Sequence, residues 1–135
     1  MAACLGIPVE VIEPCGFVWG GKHMRRSAMD YLDHAEVTRH LNWEAFQAGL
    51  GGQRRVLLST RAERVYTAFR FEPGDILILG RESAGVPEDV HDAVDARVTI
   101  PLNPGLRSFN LAVAAAMVAG EALRQLDGFP KSSPT

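Results

Sequence analysis

Three short apolar runs constrain this chain more than any other feature: Val56-Leu57-Leu58, Ile76-Leu77-Ile78-Leu79, and Val98 to Ile100. A strand with one wet face alternates apolar and polar residues, whereas a continuous apolar run belongs to a strand covered on both faces, as in a parallel sheet between layers of helix. Each run stops at polar, Gly or Pro residues. Pro87 to Val94 reads as a short helix with proline in its first turn, and Ser108 to Leu126 as a long helix that Ser108 caps. This alternation predicts an α/β fold, a parallel sheet flanked by helices.

Upstream, Ile7 to Ile12 is β-branched and apolar and is closed by Glu13-Pro14-Cys15-Gly16, a strand ending in a turn. Lys22 to Leu32 places Met24, Ala28 and Tyr31 at helical spacing, with Lys22, Arg25, Arg26 and Asp30 on other faces. Val37 belongs to a brief strand. Asn42 then caps a helix over Trp43 to Ala48, and Gly49-Leu50-Gly51-Gly52 stops it in a loop read as a hinge, not a domain boundary. The 135 residues suit one domain over 1–126, followed by a frayed tail over 127–135 that holds Pro130, Ser132, Ser133 and Pro134. The last helix carries Ala112, Ala114, Ala115, Ala116, Ala119 and Gly120, so small apolar residues fall on nearly every face. It is expected to be enclosed, by the core or by a partner subunit.

Lys plus Arg is 14 and Asp plus Glu is 16, a net charge of −2, which excludes the global positive field of a non-specific nucleic-acid binder. Any nucleic-acid contact must come from a local patch. Lys22, Arg25, Arg26 and Arg39, with Trp19 and Tyr31 nearby in sequence, read either as such a phosphate-facing patch or as a solvated helix face. Cys4 and Cys15 are too few for a disulfide scaffold, and the start lacks the basic region of a signal peptide; both point to a reducing, cytoplasmic setting. The longest apolar stretch, Phe109 to Ala119, is far shorter than the ~20 residues that span a bilayer.

Two segments carry candidate chemistry. In GDILILGRESAGVP a buried strand runs into Gly80 to Gly85 and then a proline-led helix, and ligands of open α/β sheets sit just beyond strand carboxyl ends. The loop is neither a Walker nor a dinucleotide motif, and Arg81 occupies the glycine position that a nucleophile elbow around Ser83 needs. In RVTIPLNPGLRSFNLAVAAAM a strand turns through Pro101, Pro104 and Gly105 into a helix that opens with Ser108, Phe109 and Asn110, polar groups beside unpaired N–H donors. His23, His34, His40 and His91 have no metal-ligand spacing, and Glu82 is the lone carboxylate of a suggestive loop.

Taken in order, IEPCGF, MRRSAMDYLDHAEVTRH, LLSTRA, GRESAGVP and IPLNPGLRSFNLAVAAAMVAGEALRQ resemble the small knotted RNA 2′-O-methyltransferases of the SPOUT superfamily, and among them the TrmL-like group. The resemblance covers nearly all of residues 2–126. It implies a sheet whose part from about Leu79 to Leu126 threads into a deep trefoil knot, a topology that sequence physics alone does not propose. It also implies that S-adenosylmethionine is the cofactor and no metal is needed, that the protein is a homodimer, and that tRNA is the partner. The reaction implied is 2′-O-methylation of the ribose at wobble nucleotide 34, cytidine or uridine, with leucine isoacceptors expected.

Carried over by position, Leu58, Ser59 and Thr60 match the strand end beside the cofactor, Gly80 and Glu82 the second motif, and Ile100, Leu102, Ser108 and Asn110 the third. Lys22, Arg25, Arg26 and Arg39 are the implied RNA-binding residues. The family places a further strand and an Asn-Thr-Gly...Arg helix ahead of the segment that begins here as AACLG, so its catalytic arginine has no counterpart and no catalytic residue is assigned. The alternative to an active methyltransferase is therefore a chain that binds cofactor or RNA without transfer. Gly120 stands where some relatives carry a bulky aromatic side chain.

Overall fold

The computed structural model describes residues 5–13, 37–80, 86–103 and 111–131. The chain divides between Gly51 and Gly52 into two compact units, one of residues 1–51 with 130–135 and one of residues 52–129. The glycine loop read as a hinge is thus the place where the units part.

In the first unit, β1 (Val9–Ile12) and β2 (Val37–His40) pair in parallel, with Val9 opposite Val37 and Ile12 opposite His40. Across the pair Arg39 reaches Glu13 at 2.8 Å and His40 Nε2 lies 2.9 Å from Glu10. Helix α1 (Trp43–Ala48) starts where expected: the Asn42 side chain accepts from the Ala45 N–H at 2.8 Å, and the Gly49 N–H closes the far end on the Phe46 carbonyl. Phe46 is its buried residue and meets the His40 ring edge-on at 5.3 Å.

The second unit holds β3 (Arg55–Leu58), β4 (Ile76–Ile78), α2 (Glu88–Ala93), β5 (Ala96–Val98) and α3 (Leu111–Leu126). Its sheet has the order β4-β3-β5, both pairings parallel. Neighbouring residues of a strand point to opposite faces, yet Val56 and Leu57 are both fully buried, so β3 is covered on both sides as its unbroken apolar run requires. On one side Val56, Val98 and Ile100 pack with Phe69, Phe71, Ala114 and Val118, which brings α3 onto the sheet.

The third apolar run departs from expectation. β5 spans Ala96–Val98 rather than Val98 to Ile100, because the chain changes partner after Val98. Ser59 donates to the Val98 carbonyl, but Thr99 then donates to Arg64 and accepts from Tyr66, forming an isolated parallel bridge with Val65. The first strand is likewise shorter, beginning at Val9 rather than Ile7, and β2 longer, running to His40. Pro87 is the residue before α2 rather than part of its first turn, with ψ 155°, the extended value that lets the helix begin at Glu88.

The core of this one chain covers only part of helix α3. Ala114, Val118 and Ala119 are buried, while Ala112, Val113 and Ala116 are exposed, and a Cβ built on Gly120 would meet nothing within 4 Å. The tail is ordered at its start: Gly128 donates to Leu123 at 2.9 Å and Asp127 to Arg124 at 3.5 Å, the paired bonds of a Schellman cap. Asp127 takes the left-handed position at φ 52°, which glycine more often occupies. The segments over Lys22 to Leu32 and Ser108 to Asn110 lie outside the described residues.

Candidate functional site

All strands of the second unit run the same way, so the carboxyl ends of β4, β3 and β5 lie on one rim of the sheet. The register sets Leu57 beside Ile78 and Leu58 beside Val98. Residues directly after those pairs must share the rim. Ser59 and Thr60 follow β3 there and Gly80 follows β4, while Ile100 and Leu102 come after β5 beyond the point where the chain exchanges β3 for Val65; with Leu58 these are the described members of the expected cofactor set. Glu82, Ser108 and Asn110 lie outside the described residues.

Each member contributes differently. Ser59 is fully engaged in structure: its N–H donates to Val98 at 2.9 Å, its carbonyl accepts from Ala62 at 3.2 Å, and its hydroxyl accepts from the Arg61 N–H at 3.1 Å. These bonds fold residues 59–62 into a tight turn and tie it to the end of β5. Thr60 is exposed within that turn, and Leu58, Gly80 and Leu102 are half-buried. Ile100 is 8% exposed and belongs to the core, so its side chain supports the rim and only its backbone can address a ligand. The described part of the rim is therefore apolar and hydroxyl-bearing, with Thr60 its exposed hydroxyl.

Charges flank this neutral rim. Arg61 leaves the turn and meets Glu88, in the first turn of α2, through contacts of 3.0 and 3.4 Å. That hydrogen bond holds the Glu88 carboxyl below its ordinary range. On α2 the ligating atoms of Glu88, His91 and Asp92 lie within 4.8 Å of one another, a proximity the histidine spacing did not suggest. Glu88 is already neutralised by Arg61, and His91 Nδ1 is 3.9 Å from Asp92, so the group reads as helix-surface electrostatics.

The opposite rim is built for stability. Arg54 makes a forked contact with Asp75 at 2.7 and 3.0 Å, donates to the Arg70 carbonyl, and stacks over Phe69 at 4.8 Å. Asp75 is held in turn by the Glu72 N–H at the end of a Pro73-Gly74 turn, where Gly74 supplies φ 86°. Of the residues expected to face RNA, Arg39 is exposed and paired with Glu13, while Lys22, Arg25 and Arg26 lie outside the described residues.

Residues 1–120 match the SpoU rRNA Methylase family. The chain belongs to that family. Within this SpoU methylase group, a Beijerinckia indica protein named tRNA (cytidine(34)-2'-O)-methyltransferase is 56% identical over 97% of this chain and 83% of its own length. The protein of the same name from Escherichia coli K12 is 38% identical over 96% of this chain and 83% of its own. A solved structure described for 2-OH methylation of C/U34 on tRNA superposes with a TM-score of 0.88 at 39% identity, covering 94% of this chain and 84% of that one. The SpoU methyltransferase AviRb from Streptomyces viridochromogenes, solved in complex with AdoMet, gives 0.79 at 25% identity over 93% of this chain and 53% of that one.

The kinship read from the linked motifs is thereby borne out, as is the α/β architecture with parallel sheets. Sequence reasoning missed the rim of this SpoU methylase beyond Thr60: the Arg61–Glu88 pair and the pairing of Val65 with Thr99. Residues 60–66 have no apolar periodicity, so only the alternating charges of Arg61, Glu63 and Arg64 hinted at a charged border.

Proposed function

We propose that this chain is an S-adenosylmethionine-dependent methyltransferase that modifies the ribose 2′-oxygen of cytidine or uridine 34 in tRNA, with leucine isoacceptors as the expected substrates. The observation that carries this is the 56% identity over nearly the whole chain with an enzyme of that name. The neutral rim supports it: Leu58, Gly80 and Leu102 offer half-buried apolar surface and backbone groups for an adenosyl moiety, and Thr60 an exposed hydroxyl. When bound, S-adenosylmethionine supplies an electrophilic methyl group.

The protein's own work is orientation. The Ser59 turn and the Ile100 anchor would hold the donor-facing backbone still, so that a 2′-oxygen is presented in line and translational freedom is already lost. Glu82, Ser108 and Asn110 are proposed to complete the cofactor site, and Lys22, Arg25, Arg26 and Arg39 to grip the RNA. Arg39 would then exchange Glu13 for a phosphate. We also propose that residues 1–126 act as one methyltransferase domain, that the segment from about Leu79 to Leu126 forms a trefoil knot, and that no metal takes part. A cytoplasmic homodimer is the proposed working form; no helix among the described residues is long and apolar enough to cross a membrane. The small residues Ala116 and Gly120, with an exposed side at Ala116 and open space around Gly120, support a subunit contact on α3.

Mass spectrometry of nucleosides from unmodified tRNA treated with purified protein and S-adenosylmethionine tests the assignment. A gain of 2′-O-methylcytidine or 2′-O-methyluridine at position 34 is expected. Cofactor and RNA binding with no methylated product would make the chain a binding module instead.

A further inference from the structure

The arginines of the second unit sort by whether their charge is already answered. Arg54 meets Asp75, Arg55 meets Asp95, Arg61 meets Glu88, and Arg124 meets Glu121. Arg97 donates to the His91 carbonyl. Among the described residues of this unit, the guanidinium groups of Arg64 and Arg70 have neither an ion pair nor a hydrogen bond, and both residues are exposed. They sit at opposite ends of the sheet. The Arg70 carbonyl accepts from Arg54, just ahead of β3, at the amino rim. The Arg64 carbonyl accepts from Thr99 at 2.8 Å, one residue before Ile100 on the carboxyl rim.

Arg64 is also held by its surroundings. Its neighbour Val65 bridges Thr99, the Tyr66 N–H donates to the Thr99 carbonyl at 2.9 Å, and the Ala68 N–H donates to Val65 at 2.9 Å. The backbone that carries this guanidinium is therefore tied to the segment leading into Ile100, which keeps the exposed side chain within reach of the rim. Glu63 is adjacent and exposed but forms no ion pair with it. An unanswered guanidinium on a backbone anchored beside the ligand rim suits a phosphate oxygen, to which arginine can present two parallel donors.

We propose that Arg64 is a positioning residue that binds a backbone phosphate of the RNA at the outer edge of the rim, an inference that rests on the tRNA reading above. It acts on the substrate's placement and not on the methyl donor.

The test uses the full chain, an unmodified tRNA with cytidine at position 34, and the variants Arg64→Gln, Arg64→Lys and Arg70→Gln. Arg64→Gln is expected to raise the tRNA Kd and KM by about 3- to 10-fold and to lower the slope of log affinity against log salt by about 0.7–0.9, one phosphate contact. Its kcat and its S-adenosylmethionine Kd should stay at the wild-type values. Arg64→Lys should recover the salt slope. Arg70→Gln removes the same charge from the opposite rim and should change nothing. Unchanged tRNA affinity and salt slope in Arg64→Gln would overturn the proposal, as would an equal loss in Arg70→Gln, which would mean only net charge matters. Wild-type protein that binds S-adenosylmethionine but no tRNA fails the RNA reading itself, and Arg64 with it.

Discussion

Glu121 shows how single contacts tune a residue's chemistry. Hydrogen bonds from Arg124 at 2.8 and 2.9 Å and from Gln125 at 2.8 Å hold its carboxyl down at about 2, against an ordinary 4.5. In the unfolded chain these donors are gone, so the unfolded state takes up its proton first as pH falls. The stabilisation is whole above pH 4.5 and disappears as pH approaches 2. Glu121→Gln should therefore flatten the decline of Tm across that window while leaving the pH 7 to 5 range nearly unchanged, as read by circular dichroism melts. An acid slope equal to the wild type would show that other carboxylates govern it. Glutamate three residues before arginine on a helix was legible in the sequence as a surface pair. The added Gln125 bond was not, because Gln125 is aimed by what it holds on its other side.

At the scale of elements, that other side is the joint between α3 and the segment before β4. The Gln125 side chain accepts from the Phe71 N–H at 2.9 Å and donates to the Phe69 carbonyl at 2.8 Å, so one amide stands in for a strand partner of both residues. Their rings, 6% and 3% exposed and 4.9 Å apart edge to face, then seal the core between helix and sheet. Gln125→Ala would strand both backbone groups in a partly buried place and should cost about 1–3 kcal/mol in urea unfolding. Gln125→Glu keeps the acceptor for Phe71 but turns the donor shared by Phe69 and Glu121 into a carboxylate oxygen facing two acceptors, and should cost at least as much. The long helix and the buried strands were legible from their unbroken apolar runs. Their joint was not, since Phe69 and Gln125 are far apart in sequence and a polar side chain docking a loop leaves no periodic mark.

At the scale of the whole molecule, a bound ligand should register at the rim of the second unit. The expected cofactor positions that are described all fall within residues 52–129, and none on α1 or β2. Amide hydrogen exchange with and without S-adenosylmethionine should therefore show new protection at Thr60, Leu79, Gly80 and Leu102, and none over residues 37–50. Protection confined to residues 37–50 would move the site off the rim. Such a result would also separate the two units by behaviour, as the glycine loop at Gly51 and Gly52 separates them by contact.

The apolar runs pointed to a parallel sheet, and Val56-Leu57 in β3 is the run whose neighbouring residues are both fully buried, because a strand covered on both faces has no wet side to fill with polar residues. Linked motifs alone determined its kinship, and Asn42 and Gly49 alone set the ends of α1, since caps act within a few residues of themselves. Which residues border the rim was decided only in three dimensions. Thr99 leaves β3 for Arg64 and Val65, and Arg61 crosses to Glu88, because hydrogen-bond and charge partners are chosen among neighbours in space once the sheet has brought distant segments together.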